Sequence, residues 1–255
     1  MNIFYIVLIT LGIAISGYLI GSISWAVIIT KFVFHIDIYK VGSGNAGGTN
    51  VGRAIGKKWA IITIVLDVIK CLVPLWSWFF ILTLSPLNGF MSENIGSFPL
   101  SFFYYLAGFT ASIGHIYPLY FHFKGGKAVS CFGGFILGTN WMLMVLGFGT
   151  FLLTLKWKKR VSLSSISGTV VCMVLAIVTA IVNQFCSNVL GISFWFFPGP
   201  KFDSYYMYSI FVIIYGLLVI FLHKRNINRL VNHTEPETHF YKEGEVRQSN
   251  YDQDK

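Results

Sequence analysis

Long apolar runs separated by short polar connections set the pattern of this chain. Runs near the length needed to span a bilayer core, about 20 residues, fall at 3–33, 58–85, 99–121, 128–155, 164–184 and 206–223. Lys and Arg in the short connections set orientation, because positive loops stay in the cytoplasm. The connection 34–58 holds Lys40, Arg53, Lys57 and Lys58, whereas 86–98 holds neither Lys nor Arg. The first is therefore inside, the second outside, and the N-terminus outside. The third span returns to the cytoplasm at Lys124 and Lys127.

Simple alternation then fails. A single crossing over 128–155 would leave Lys156, Lys158, Lys159 and Arg160 outside, against the positive-inside rule. Gly138, Thr139 and Asn140 interrupt that run near its middle. Two shorter helices, about 128–138 and 141–155, would dip in and back and keep both basic ends inside, since non-helical backbone at depth is tolerated where protein surrounds it. The pattern predicts an all-α integral membrane protein, a seven-helix transmembrane bundle with shorter or broken pieces, N-terminus out and C-terminus in. One membrane domain covers 1–235. The 236–255 tail is polar, mixed in charge and expected to be disordered. No internal repeat is evident.

Composition agrees. Hydrophobic residues make up 55% of the 255 and charged residues 11%, and mean hydropathy is +0.67. A water-exposed surface, with roughly 25% charged residues, cannot be assembled from this inventory. The four cysteines (Cys71, Cys131, Cys172 and Cys186) lie singly, with no disulfide framework or metal spacing. The first run lacks a basic n-region and is read as an anchor that stays.

Four polar islands then fall on one face. In VGSGNAGGTNVGR, residues 41–53, Gly44 and Gly47 alternate with Ser43, Asn45, Thr49 and Asn50. Such spacing allows tight turns that aim backbone N–H groups at an anion. Arg53 follows at an expected helix start, where a guanidinium can fork onto phosphate. A flexible turn is the alternative, but a turn needs about 2–6 residues. The second island, FKGGKAVS over 123–130, sets Gly125 and Gly126 between Lys124 and Lys127 before a helical segment. Phosphate could meet amides, a helix N-terminus and an ammonium together there, although a basic headgroup anchor explains this island equally well on its own. It lacks the Walker spacing. Upstream, His115 reads as a hydrogen-bonded structural histidine.

The third island, KKRVSLSS over 158–165, is explained by positive-inside lysines with Ser162, Ser164 and Ser165 capping the next helix. The fourth, LHKRNINRL over 222–230, places His223 and Asn226 three apart, on one face of a continuing helix. A basic stop after the last span explains its arginines and leaves His223 and Asn226 without a reason. A transporter for a phosphorylated metabolite would also use broken spans and cations, but nearer the bilayer midplane.

Taken in order, GSGNAGGTNVGRAIGKK, LDVIK, GHIYPLYFHFKGGKAVS, RVSLSS and HKRNINRL with Thr234-Glu235 resemble the bacterial acyl-phosphate:glycerol-3-phosphate acyltransferase family, from Gly21-Ser22 to about Glu235. The resemblance implies transfer of a fatty acyl group from acyl phosphate to the sn-1 hydroxyl of glycerol 3-phosphate. The products would be lysophosphatidic acid and phosphate, the first step of membrane phospholipid synthesis. It also implies an N-out, C-in bundle of seven helices. Two departures stand out: Ala128 where the family has glycine after GGK, and Ser24 where a proline is common.

Carried over by position, the family's polar site falls on Ser43, Asn45, Arg53, Lys127, Ser165, His223 and Asn226. Lys127, His223 and Ser43 would be the catalytic set. Arg53, Lys127 and His223 would hold the acceptor phosphate, Ser165 and Asn226 would orient it, and Ser43 and Asn45 would reach the glycerol hydroxyls or the donor. The loops containing Gly44, Gly47, Thr49 and Asn50, and Gly125 and Gly126, would cradle acyl phosphate. The donor is a mixed anhydride with a good leaving group, so orientation supplies much of the rate. No H-x-x-x-x-D pair is present, which leaves His223 or the donor's own phosphate oxygen as base, the second favoured. No cofactor, metal or nucleic acid is expected. The expected partners are membrane lipids, the two substrates and the upstream acyl-phosphate-forming enzyme, at the cytoplasmic face of a bacterial cell membrane.

Overall fold

A computed structural model of the chain describes residues 2–186 and 204–237, and no strand occurs among them. The helices are α1 (Asn2–Gly21), α2 (Trp25–Ile28, continued by a π turn to Val33), α3 (Gly48–Ile55), α4 (Lys57–Leu84), α5 (Leu87–Asn94), α6 (Ser101–Ile116), α7 (Val129–Thr139), α8 (Trp141–Lys158), α9 (Val161–Cys186), α10 (Ser204–Leu222) and α11 (Lys224–Val231). Of the tail expected to be disordered, 238–255 lies outside the described residues.

The six apolar runs are all helical, with informative differences. The first run is broken: Ser22 Oγ donates 2.8 Å back to the Tyr18 carbonyl, and Ser24 is extended at φ −91°, ψ 94°. Such hydroxyl back-bonding competes with the helical ladder and bends helices. The third run stops at Ile116 rather than 121, because Pro118 excludes the helical conformation from the residue before it; Tyr117 sits at φ −122°, ψ 69°. The connection expected over 34–58 contains α3, and that over 86–98 contains α5.

The interruption at 138–140 is where the sequence put it. Thr139 ends α7, and Asn140, at φ −148°, ψ 99°, begins α8 with its Oδ1 accepting from Leu143 N at 3.0 Å. This is an asparagine N-cap. The pair α7–α8 folds back on itself: Lys127, just before α7, and Ser162, just after α8, reach one hydrogen-bonded chain described below. Both ends of the hairpin therefore lie at the same end of the bundle.

The helices approach closely where side chains are small. A methyl on Gly21 of α1 would stand 1.9 Å from the Ala111 carbonyl of α6, so only glycine fits this crossing, as at many membrane helix contacts. Between α4, α6, α7, α9 and α10 lies an aromatic core of Tyr105, Phe135, Tyr208 and Tyr215. Outward faces are apolar as well: Ile3, Leu84, Leu153 and Phe221 are all more than 60% exposed. An apolar exterior over an apolar core suits lipid as the surrounding medium.

Candidate active site

All four polar islands meet at one end of the bundle. The first is shaped by Asn50, which is 2% exposed. Its Oδ1 accepts from Ser43 N at 2.8 Å, and its Nδ2 donates to the carbonyls of Ile38 (3.1 Å) and Val41 (3.0 Å). Asn50 was expected to bind substrate. Its amide is instead spent on the loop, because a short side-chain amide satisfies turn backbone more cheaply than a distant ligand. Gly42 must be glycine: its φ is +56°, and a methyl would stand 2.3 Å from Asn50 Oδ1. Ser43 is exposed, with its hydroxyl 3.3 Å from Asn45 Nδ2. Gly44 and Gly47 line the loop, and Thr49 is half-buried in the first turn of α3. Arg53, expected at a helix start, lies in the last turn of α3.

The second loop joins the first directly. Tyr39 Oη donates 2.6 Å to the Lys124 carbonyl, and Gly126 lies against the Ala46 carbonyl. Lys127 Nζ donates 2.5 Å to Asn226 Oδ1. Asn226 Nδ2 passes a 2.7 Å bond to Glu235 Oε1, which also accepts from Ser162 Oγ at 2.7 Å. Glu235 Oε2 accepts from Arg229 Nε at 2.7 Å. The carboxylate thus gathers three donors from α9, α11 and, through Asn226, the second glycine loop. A left-handed turn at His233 (φ 57°) returns the chain under α11 to place it there.

Electrostatics follow from burial. Removal from water pulls the Lys127 ammonium down to about 8, helped by the positive charges of Arg229 and Arg53 and opposed by Glu235. Arg53 lies against the first glycine loop, its Cβ 3.7 Å from where a methyl on Gly42 would stand. Burial likewise pulls His223 down to about 4, and the Lys127 charge adds to this. His223 Nδ1 lies 2.8 Å from the Val219 carbonyl, so this nitrogen carries the proton and Nε2 is left as an acceptor. For Glu235, burial works to raise the carboxyl, but the bonds from Arg229, Ser162 and Asn226 hold it below the ordinary range.

Burial favours the neutral form of His223, so what it offers a ligand is an acceptor at Nε2. Two expectations of local structure change. The helix does not continue through His223, since α10 and α11 meet at 60°; His223 is the residue that opens α11, still three before Asn226. The serines do not cap α9. Ser164 and Ser165 hydroxyls donate to the carbonyls of Arg160 (3.0 Å) and Val161 (2.8 Å) inside the helix, and Ser162 serves Glu235. Ser165, expected to orient phosphate, lines an apolar groove between α7, α8 and α9 with Gly133, Gly147 and Gly168.

Sequence reasoning named Glu235, Ser162 and His115 without their partners and gave no role to Arg229, Asp67 or Lys70. The signal for Asp67 and Lys70 was present: an acid and a base one helical turn apart inside an apolar span are expensive there and mark a built feature.

Residues 11–233 match the family model described as glycerol-3-phosphate acyltransferase. The chain is 33% identical over 263 residues to the glycerol-3-phosphate acyltransferase of Mesoplasma florum, covering 92% of this chain and 98% of that one. The Aquifex aeolicus protein of the same name is 32% identical over 225 residues, covering 88% and 97%. A crystal structure of PlsY (YgiH), an integral membrane glycerol 3-phosphate acyltransferase in its glycerol 3-phosphate form, superposes with a TM-score of 0.68 at 29% identity, covering 94% of this chain and 99% of that one. Its lysophosphatidic acid form gives 0.65 at 28%. With the match running through every polar island from Gly42 to His223, the chain belongs to the glycerol-3-phosphate acyltransferase family.

Proposed function

We propose that this membrane protein transfers a fatty acyl group from acyl phosphate to the sn-1 hydroxyl of glycerol 3-phosphate, giving lysophosphatidic acid and inorganic phosphate. The observation that carries this reading is the convergence of Arg53, Lys127, His223 and two glycine loops at one end of an apolar bundle. Arg53 and Lys127 supply the positive charge for the acceptor phosphate. Asn226 holds Lys127 in place and is itself held by Glu235. Neutral His223 accepts a hydrogen bond at Nε2 and so suits a hydroxyl better than a phosphate. Ser43 and Asn45, at the mouth of the first loop, reach the glycerol hydroxyls or the donor, and the acyl phosphate lies against the two loops, whose Ser43, Gly44, Gly47 and Gly126 amides are spent on holding their shape.

In the step itself the sn-1 oxygen attacks the acyl carbonyl carbon and a C–O ester bond forms. The bond between that carbon and the bridging oxygen of phosphate breaks, and phosphate leaves with the electron pair. The hydroxyl proton passes to a phosphate oxygen of the donor. Burial makes His223 a weak base, which favours the donor as base and leaves His223 to orient the hydroxyl. The α7–α8–α9 groove, apolar and ending at Ser165, suits the acyl tail. Placement in a bacterial plasma membrane, with seven helical pieces, N-terminus out and the site facing the cytoplasm, follows from the basic residues around the site. An acyl-phosphate-forming enzyme would supply the donor.

The test uses detergent-solubilised protein with acyl phosphate, acyl-CoA or acyl carrier protein as donor. Phosphate release from acyl phosphate that requires glycerol 3-phosphate is the expected result. Equal turnover with acyl-CoA would defeat the donor assignment.

A further inference from the structure

Beneath the glycine loops lies a buried cluster that the chemistry above leaves unused. Asp67 on α4 is 1% exposed, Lys70 one turn later 3%, and His115 in the last turn of α6 4%. Asp67 Oδ1 faces Lys70 Nζ at 2.9 Å and His115 Nδ1 at 3.5 Å. Its Oδ2 accepts from Ser130 Oγ, in the first turn of α7, at 3.5 Å. Lys70 Nζ also donates 2.7 Å to the Ile23 carbonyl, which lies in the break between α1 and α2. One carboxylate therefore ties together the broken first span, α4, the end of α6 and the start of α7.

His115 is also the floor of the second glycine loop. Gly126 N donates 3.1 Å to the His115 carbonyl. A methyl on Gly126 would lie 2.3 Å from His115 Nε2 and 2.8 Å from the Ala46 carbonyl. The loop thus has the thickness of one glycine between the imidazole below and the first loop above. The ring sets the spacing of the two loops, and Lys127 is the next residue along. A buried ion cluster is weak evidence for stability, since apolar residues of equal volume often do as well. An apolar replacement would lose the charge attraction of Asp67 for Lys70 and His115 and the hydrogen bonds that Ser130 and Lys70 donate.

We infer that Asp67 is a positioning residue for glycerol 3-phosphate binding. Through His115 it orients the ring against which Gly126 packs, and so sets Lys127 relative to the first loop. This rests on the reading of Lys127 as a phosphate-binding group.

The test measures the calorimetric Kd for glycerol 3-phosphate on the full chain in detergent, with thermal unfolding as the check on fold. Asp67→Asn keeps the ring beneath Gly126 and removes only the charge that orients it, whereas His115→Asn removes the ring atoms that meet Gly126. Both variants should bind glycerol 3-phosphate about 10- to 100-fold more weakly, the range for losing one charge-assisted hydrogen bond. An unchanged Kd in the folded variants, with or without a lowered Tm, would overturn the proposal and make the cluster purely structural. Ser130→Ala leaves no charge unpaired and keeps the comparison open if the others do not fold: a Kd raised a few-fold supports positioning, and an unchanged Kd counts against it. Because Kd is read without a donor, wild-type binding without turnover would count against acyl phosphate and not against Asp67.

Discussion

Lys127 and Asn226, 99 positions apart, are joined by a 2.5 Å hydrogen bond from ammonium to amide oxygen. The bond couples the second glycine loop to α11, and it fixes the one cation in this pair whose charge burial has made conditional. Lys127→Ala is expected to lower kcat/KM by about 10²–10³, or roughly 3–4 kcal/mol, as for other buried donors to developing charge. Lys124→Ala should do far less, because Lys124 is exposed. Steady-state kinetics on matched preparations decide this; equal, mild effects of both would remove Lys127 from the site.

Arg53 separates acceptor binding from chemistry. Arg53→Ala should raise the glycerol 3-phosphate KM much more than it lowers kcat, the signature of binding that is uniform in ground and transition states. Arg53→Lys should recover part of the loss, since an ammonium keeps the charge and loses the fork. A rise in the acyl-phosphate KM instead would reassign Arg53 to the donor.

The pH profile should carry the Lys127 titration. In the proposed site its charged form grips phosphate, and burial has lowered its pKa to about 8. The charge is present below that value and lost as pH rises through it. Accordingly kcat/KM for glycerol 3-phosphate should fall above pH 8, by about tenfold per unit. Lys127→Arg should carry the falling limb beyond the accessible range, because arginine stays protonated. His223, at about 4, should add no limb between pH 5 and 7.

Deleting Glu235 should be costly, because three donors converge on it. Glu235→Ala removes the common acceptor of Ser162, Asn226 and Arg229 and should cost about 3 kcal/mol of stability, the low end for breaking a buried charged network. Arg229 is 42% exposed, so its share is small. Ser162→Ala should cost about 1–1.5 kcal/mol. The Glu235 carboxyl is held below its ordinary value, so its stabilisation is present above the unfolded pKa and lost as pH falls through the folded one. Thermal unfolding at pH 7 and pH 4 should show the wild-type advantage over Glu235→Ala shrinking in acid.

Topology can be read by labelling. In a background without Cys71, Cys131, Cys172 and Cys186, single cysteines at positions 57 and 159 should both react only from the cytoplasmic side. Modification of 159 from outside would overturn the dipping hairpin.

The bundle was legible because apolar runs of spanning length declare themselves, and the break at 138–140 because a single crossing would put Lys156, Lys158, Lys159 and Arg160 on the wrong side. Arg53, Lys127, His223 and Asn226 were legible as polar side chains at the rim of an apolar body. Helix α3 was not, since Gly48 and Gly52 argue against a helix locally; packing of Gly48 on Ile64 of α4 overrides them. Asn50 could not be told from a ligand-binding amide, because a turn and a ligand ask for the same donor and acceptor. The pairings of Asp67 with His115 and Ser162 with Glu235 join residues 48 and 73 positions apart, and nothing local encodes them.

The short left-handed turn at His233 matters for anyone shortening the chain. It is the hinge by which Glu235 swings back under α11, so the residues that follow the last helix are part of the working protein. A stop codon after Glu237 should leave a purifiable, active enzyme. A stop after His233 removes only four more residues, yet it takes away the acceptor on which Asn226, and through it Lys127, depends. A protease or cloning boundary set at the end of the last helix would therefore cut away the support of the site while sparing every residue in contact with substrate.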